Sequence, residues 1–252
     1  MLKPACKKFG NDWPGAILSI AASNNNGVCC DMKTIDRVLL GAGTAIPLWL
    51  FCGVVLTASH YPGYSHLDFA MSRLGEQGAV THGLSAWINN FPLGVLFVLT
   101  ALGLWRRFSD SRLARSSALL VLLHGLGSIG AGVFSCDQGC APAQPSFSQQ
   151  MHNLSGLLMF VALTLASALW IPLGKRLLDS RGFSWFSALC TLLALVTVGL
   201  MGQALEAGHG FGLYQRLNYG TAVIWLAALA ALSLARPAAM ARRSARPAGL
   251  AK

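Results

Sequence analysis

Six apolar stretches, each about 20 residues long, dominate this chain: 38–58, 84–105, 116–134, 154–173, 183–205 and 217–234. An α-helix rises about 1.5 Å per residue, so about 20 residues cross a hydrocarbon core of about 30 Å. None of the stretches contains Asp, Glu, Lys or Arg. A soluble bundle needs a polar face on each helix, and these segments lack one. Charged residues make up 11% of the chain and mean hydropathy is +0.54, against about 25% charged in soluble domains. The fold class that follows is all-α: a polytopic integral membrane protein with six transmembrane helices.

Charge sets the orientation. Successive loops between six spans alternate sides. Lys3, Lys7, Lys8, Lys33 and Arg37 precede the first span. Arg106, Arg107, Arg112 and Arg115 separate the second from the third. Lys175, Arg176 and Arg181 separate the fourth from the fifth. Arg236, Arg242, Arg243, Arg246 and Lys252 follow the sixth. Of the 19 Lys and Arg residues, only Arg73 and Arg216 fall on the opposite side. The positive-inside rule then places both termini in the cytoplasm. Topology and attraction to anionic membrane lipid account for the net charge of +10. The basic tail 236–252 is short and lacks interleaved aromatics, so no nucleic-acid partner is expected.

Three regions follow: a cytoplasmic N-terminal extension over 1–33, expected to be disordered, a six-helix membrane domain over 34–235, and the basic cytoplasmic tail over 236–252. The extension carries an AsnAsnAsn run and Cys29-Cys30, and its apolar run Trp13–Ala22 is too short to span. Met32 opens MKTIDRVLL, a compact start. Residues 1–31 therefore read as an upstream extension dispensable for folding, or else as a disordered tail.

The outward loops hold the informative polar residues. In 59–83, Ser65 and Asp68 form a helix-start pattern. Leu67, Ala70, Met71 and Leu74 follow at helical spacing, and Gly75 can stop the helix. A short amphipathic helix over 66–74 is expected in this first outward loop, lying on the membrane surface or folded back on the bundle, with Asp68 and Ser72 sharing its other face. In 135–153, Cys136 and Cys140 flank Asp137-Gln-Gly139. Thiols on the outward side are oxidised, so a local disulfide is the first reading, ahead of two free cysteines or a thiolate metal site. In 206–216 stand Glu206, His209 and Arg216. Arg216 departs from the charge pattern and is expected to pair with Glu206, Asp137 or Asp68, or to snorkel to the interface.

These loops carry a resemblance. His60-Tyr-Pro-Gly-Tyr-Ser-His66 with Ser72-Arg-Leu-Gly75, Cys136-Asp137 with His152-Asn153, and Gly212-Leu-Tyr-Gln215-Arg216 occur in order before or after particular spans. In this the chain resembles the bacterial domain-of-unknown-function family 998 over about 34–234. It departs from the pattern at Phe69-Ala-Met, where a more polar, Ile-containing segment is common. The resemblance implies a six-span fold and no established activity; with the charge pattern, the expected location is a bacterial inner (cytoplasmic) membrane.

All six His residues lie outward or within a span. His124 sits mid-span in the third stretch, and an ionisable group at that depth faces the bundle interior or a cavity. Asn89, Asn90 and Gln203 are placed to line the same space. Gly125, Gly127, Gly130 and Gly132 allow close helix approach and mark the third span as central. The polar cluster His124, His152, His209, Glu206 and Arg216 supports two functional readings. One is a membrane protein of unknown activity that binds or carries a lipid or small molecule. The other is a membrane-embedded metal-dependent hydrolase acting on lipid, with Asp137, His152 and His209 holding zinc and Ser72, Asp68 or Asp137 in catalysis. No H-E-x-x-H spacing supports the second. The plainer alternative to both is a hydrogen-bonded belt that pins the outward loops to the bundle.

Overall fold

The computed structural model describes residues 32–235. The expectations for residues 1–31 and for the tail 236–252 lie outside the described residues. The described chain is six helices and no strand: α1 Thr34–Ala58, α2 His82–Arg107, α3 Arg112–Val133, α4 Phe147–Leu178, α5 Arg181–Ala207 and α6 Phe211–Ala235. Each is long and apolar enough to cross a membrane.

The helices overrun the apolar runs where polar residues can cap them or pack inward. α4 starts at Phe147 rather than near 154 because Ser146 caps it, its Oγ accepting from Gln149 N at 3.1 Å. α6 starts at Phe211 rather than 217 and so takes in Gln215 and Arg216. The third link shrinks to Gly208–Gly210, where Gly208 (φ +77) and Gly210 (φ +80) supply left-handed backbone. The helix expected over 66–74 is a 3-10 turn, Met71–Gly75, folded back on the bundle with Leu74 fully buried.

Neighbours in sequence are neighbours in space, and α6 closes the ring against α1. α6 also packs against α2 and α4, yet α2 is the most buried span (44%) and α6 is only 33% buried. The glycine-rich α3, expected to be central, is 39% buried and held between α2 and α4. Its glycines do bring backbones together: a Cβ on Gly125 would stand 2.9 Å from Gly94 O of α2.

The two ends of the bundle differ. At the end holding Arg106, Arg107, Lys175 and Arg181, here the basic end, the links are short. Ser111 and Ser180 cap α3 and α5 by accepting from Ala114 N and Phe183 N. The core of this half is filled. The buried indole N–H of Trp170 donates to Ser117 Oγ and that of Trp225 to Ser187 Oγ, both at 3.0 Å. Phe108 and Phe183 pack on Trp170 with ring centroids 5.1 and 6.0 Å away. At the opposite, disulfide end the links 59–81 and 134–146 are long and fold over the helices.

α2 changes pitch where it enters this half. Ala86–Asn90 is a π turn, followed by Pro92. Proline has no N–H for the carbonyl four residues back, and the indole of Trp49 donates to that carbonyl, Ile88 O, at 2.9 Å. The turn presents Asn89 and Asn90 to the bundle interior.

Candidate functional site

The first loop is stitched to α6. Ser65 Oγ donates to Asp68 Oδ2 at 2.7 Å, and Asp68 Oδ1 accepts from Gly210 N at 2.9 Å. Those donors, the Gly210 amide before the Ser65 hydroxyl, hold the Asp68 carboxyl below the usual carboxylate range. Leu213 N donates to Leu67 O at 2.8 Å and Met71 N to Gln215 Oε1 at 2.7 Å. Only glycine fits at 212, where a Cβ would fall 2.8 Å from His66 O.

Arg216 locks this seam. Its Nη1 donates to Phe69 O (3.1 Å) and Gly212 O (2.8 Å), and its Nη2 to Tyr64 Oη (2.8 Å). The expected pairing with Glu206, Asp137 or Asp68 does not occur. A cation near a helix N-terminus opposes the helix dipole, and carbonyl oxygens offset it here instead of a carboxylate. Burial raises the Tyr64 hydroxyl pKa, and burial with the nearby Arg216 charge lowers that of His66.

The second loop is tied down by Glu76, which is only 4% exposed. Its Oε1 accepts from Tyr61 Oη at 2.6 Å and its Oε2 from Gly139 N at 2.6 Å, with Arg73 Nε at 3.5 Å. The bond to Glu76 is the main reason the Tyr61 hydroxyl pKa is raised. Cys136 and Cys140 form a disulfide, Cα atoms 5.0 Å apart. Asp137 accepts from Ser146 Oγ (2.5 Å) and Ser146 N (2.9 Å), which lowers its carboxyl pKa. Buried Gln149 accepts from Asp137 N and donates to Asn153 Oδ1 at 2.7 Å. Most of the polar set at the disulfide end is therefore a belt that fastens loops.

Beneath the belt lies a cavity of about 350 Å³ bounded by all six helices, a size typical of small-molecule sites. Its polar wall includes Asn89, Asn90, His124, Ser128, Asn218 and Tyr219, and no Asp, Glu, Lys or Arg lines it. The wall is largely self-satisfied. His124 Nδ1 donates to Met159 O at 2.9 Å, so its Nε2 accepts from Tyr219 Oη at 3.2 Å. Asn218 Nδ2 donates to Ala194 O and Thr197 Oγ1, both at 2.9 Å, and Asn89 Nδ2 to Thr57 Oγ1 at 3.1 Å. A vestibule of about 400 Å³ adjoins the cavity under the loops and includes Asp68, Arg73 and Cys140 in its wall. Ser72, His152 and Gln215 line both spaces. His152 Nδ1 donates to Phe134 O at 2.8 Å, which leaves Nε2 as the acceptor at this junction.

The sequence candidates thus divide. Ser72, His124 and His152 line the cavity. Asp68, Asp137 and Arg216 serve the belt. Glu206, His209 and Gln203 are exposed on or beside the end of α5. Asp137, His152 and His209, the zinc set of the alternative hydrolase reading, are not gathered: among the described residues no three His, Cys, Asp or Glu side chains come together to hold a metal ion. The carboxylate of Asp137 is turned to Ser146, and His152 spends one nitrogen on a backbone carbonyl. Glu76, Gln149 and Tyr219 are central to the site, yet nothing local in the sequence marks them. Glu76 reads as a solvated loop charge, and Tyr219 as one more span aromatic.

A model of a protein family of unknown function (DUF998) matches residues 44–232. No curated protein and no solved structure matches the chain.

Proposed function

The chain belongs to that family of unknown function, and from this premise we propose that it is a multi-pass membrane protein that binds and carries a lipid or other small amphiphile in the cavity beneath the loops. One observation carries the reading: a roomy, uncharged cavity inside the bundle joins a vestibule whose wall includes Asp68 and Arg73. Burying an unpaired charge in the cavity would be costly, while a hydrocarbon chain needs nothing from walls whose polar groups are largely paired, the buried Asn89 Oδ1 being the exception. The head of the amphiphile sits at the junction, where His152 Nε2 and the Ser72 hydroxyl face it. In a bacterial inner membrane the disulfide end faces outward, as the distribution of Lys and Arg and the oxidised cysteines favour.

Native mass spectrometry of protein extracted in mild detergent tests this. The expected result is one retained lipid per chain, lost when Ala131→Phe or Ala222→Phe fills the cavity. Equal lipid retention by the wild type and both variants would overturn the reading.

A further inference from the structure

The walls of the cavity are not sealed. α4 and α5 are bonded to each other in the basic half, through Ser167 Oγ and Thr191 Oγ1 at 2.8 Å and Ser184 Oγ to Lys175 N at 2.9 Å. Towards the disulfide end, beyond Ser167 and Thr191, no side-chain hydrogen bond joins them among the described residues. Cavity and vestibule both lie between them there: Gly156 and Leu157 of α4 line both spaces, Val198 of α5 the cavity and Leu205 the vestibule. These same residues are exposed, Leu157 to 60%, Val198 to 38% and Leu205 to 63%. A Cβ on Gly156 would have nothing within 4 Å. Two neighbouring helices that line one cavity, expose the residues that line it and share no bond at that level locate a slot between them. The slot lies along the spans, where only lipid chains can reach it.

We propose that the site is loaded sideways: an uncharged, chain-bearing lipid of the leaflet at the disulfide end passes between α4 and α5, tail in the cavity and head at the vestibule. This rests on the cavity being a ligand site, as proposed above. Water-soluble ligands would instead descend through the vestibule, past the loop residue Ala141, which lines the vestibule alone.

The two routes separate experimentally. Protein is reconstituted in phosphatidylcholine nanodiscs. Uptake is followed by fluorescence for an NBD-labelled dioleoylglycerol placed in the bilayer and for NBD-aminohexanol added from solution. Val198→Trp and Met201→Trp narrow the slot from α5, and two variants are used so that one that lowers Tm leaves the other to decide. The expected result is slower uptake of the long-chain probe by about tenfold, the effect of about 1.4 kcal/mol on a barrier, with the short-chain probe almost unaffected. Ala141→Trp should do the reverse. Unchanged long-chain uptake in the slot variants, with both probes slowed by Ala141→Trp, would overturn sideways loading and leave the cavity reading standing. Uptake of neither probe by the wild type would overturn both.

Discussion

The basic half and the disulfide half of this bundle are made from the same six helices and reach opposite ends. In the basic half, Trp170 and Trp225 fill the interior and spend their N–H groups on serines of neighbouring helices, and the links are short and capped. In the disulfide half the interior is a cavity, and long loops replace core packing as the fastening. Hydrocarbon solvates apolar side chains as well as a protein core does, so packing and hydrogen bonds, not burial alone, hold membrane helices together. One half therefore supplies the stability, and the other is free to stay hollow.

The largest expected effect breaks the filled half. Trp170→Ala should cost about 3–5 kcal/mol, by cavity formation and the loss of the bond to Ser117. Phe160→Ala, which enlarges a space already present, should cost under about 1 kcal/mol. Thermal melts in detergent compare the two, and equal losses would erase the distinction between halves.

Next comes the contrast between glycines. Gly125→Leu drives a side chain into the α2 backbone and should cost about 2–3 kcal/mol. Gly156→Leu enters open space and should change Tm little while lowering lipid retention.

Smaller is the loss of a belt bond. Arg216→Ala removes the bonds to Phe69 O, Gly212 O and the Tyr64 hydroxyl, which keeps its own bond to Ala70 O, and should cost about 1–2 kcal/mol, nearer 0.6 if it behaves like an average interhelical bond in a membrane. Hydrogen exchange should rise in the first loop and not at the basic end.

The smallest effect is that of acid. The pKa values of His66, Asp68 and Asp137 all lie below their ordinary values. Protonation is thus harder in the folded state, and the stability these groups contribute is present at neutral pH. It is lost as pH falls, from about 6.5 downward for His66 and below about 3.8 for the two carboxylates. Exchange protection at Gly210 and Ser146 should weaken towards pH 3, corrected for intrinsic rates, while the α3 and α5 caps hold. Unchanged protection would remove Asp68 and Asp137 as fasteners.

The sequence made the spans legible because length and the absence of charge suffice for that. Helix ends were not legible at α4 and α6: Gln149, Gln215 and Arg216 look like loop residues until partners from distant segments cover them. His124 was readable as interior from its depth. Its partners, Met159 O and Tyr219, were not, because that contact joins three helices. Arg216 was readable as unusual, but its partners are backbone carbonyls, which any sequence supplies and none advertises. The Ser65–Asp68 pattern, read as a helix start, makes the reciprocal bonds of a cap but closes only a turn. The helix expected after it stops at a 3-10 turn, because Met71 N is taken by Gln215 and Leu74 is drawn into the bundle.

Photo-crosslinking tests the hollow half most directly. A diacylglycerol carrying a diazirine along an acyl chain is incorporated with the protein into nanodiscs, irradiated, and the adducts mapped by mass spectrometry. The expected result is adducts on the cavity residues Met159, Phe160 and Met201, lost in Ala222→Phe, beside those on outward side chains of α1 such as Leu48 and Phe51. Adducts confined to the outward side chains would contradict a lipid chain inside the bundle.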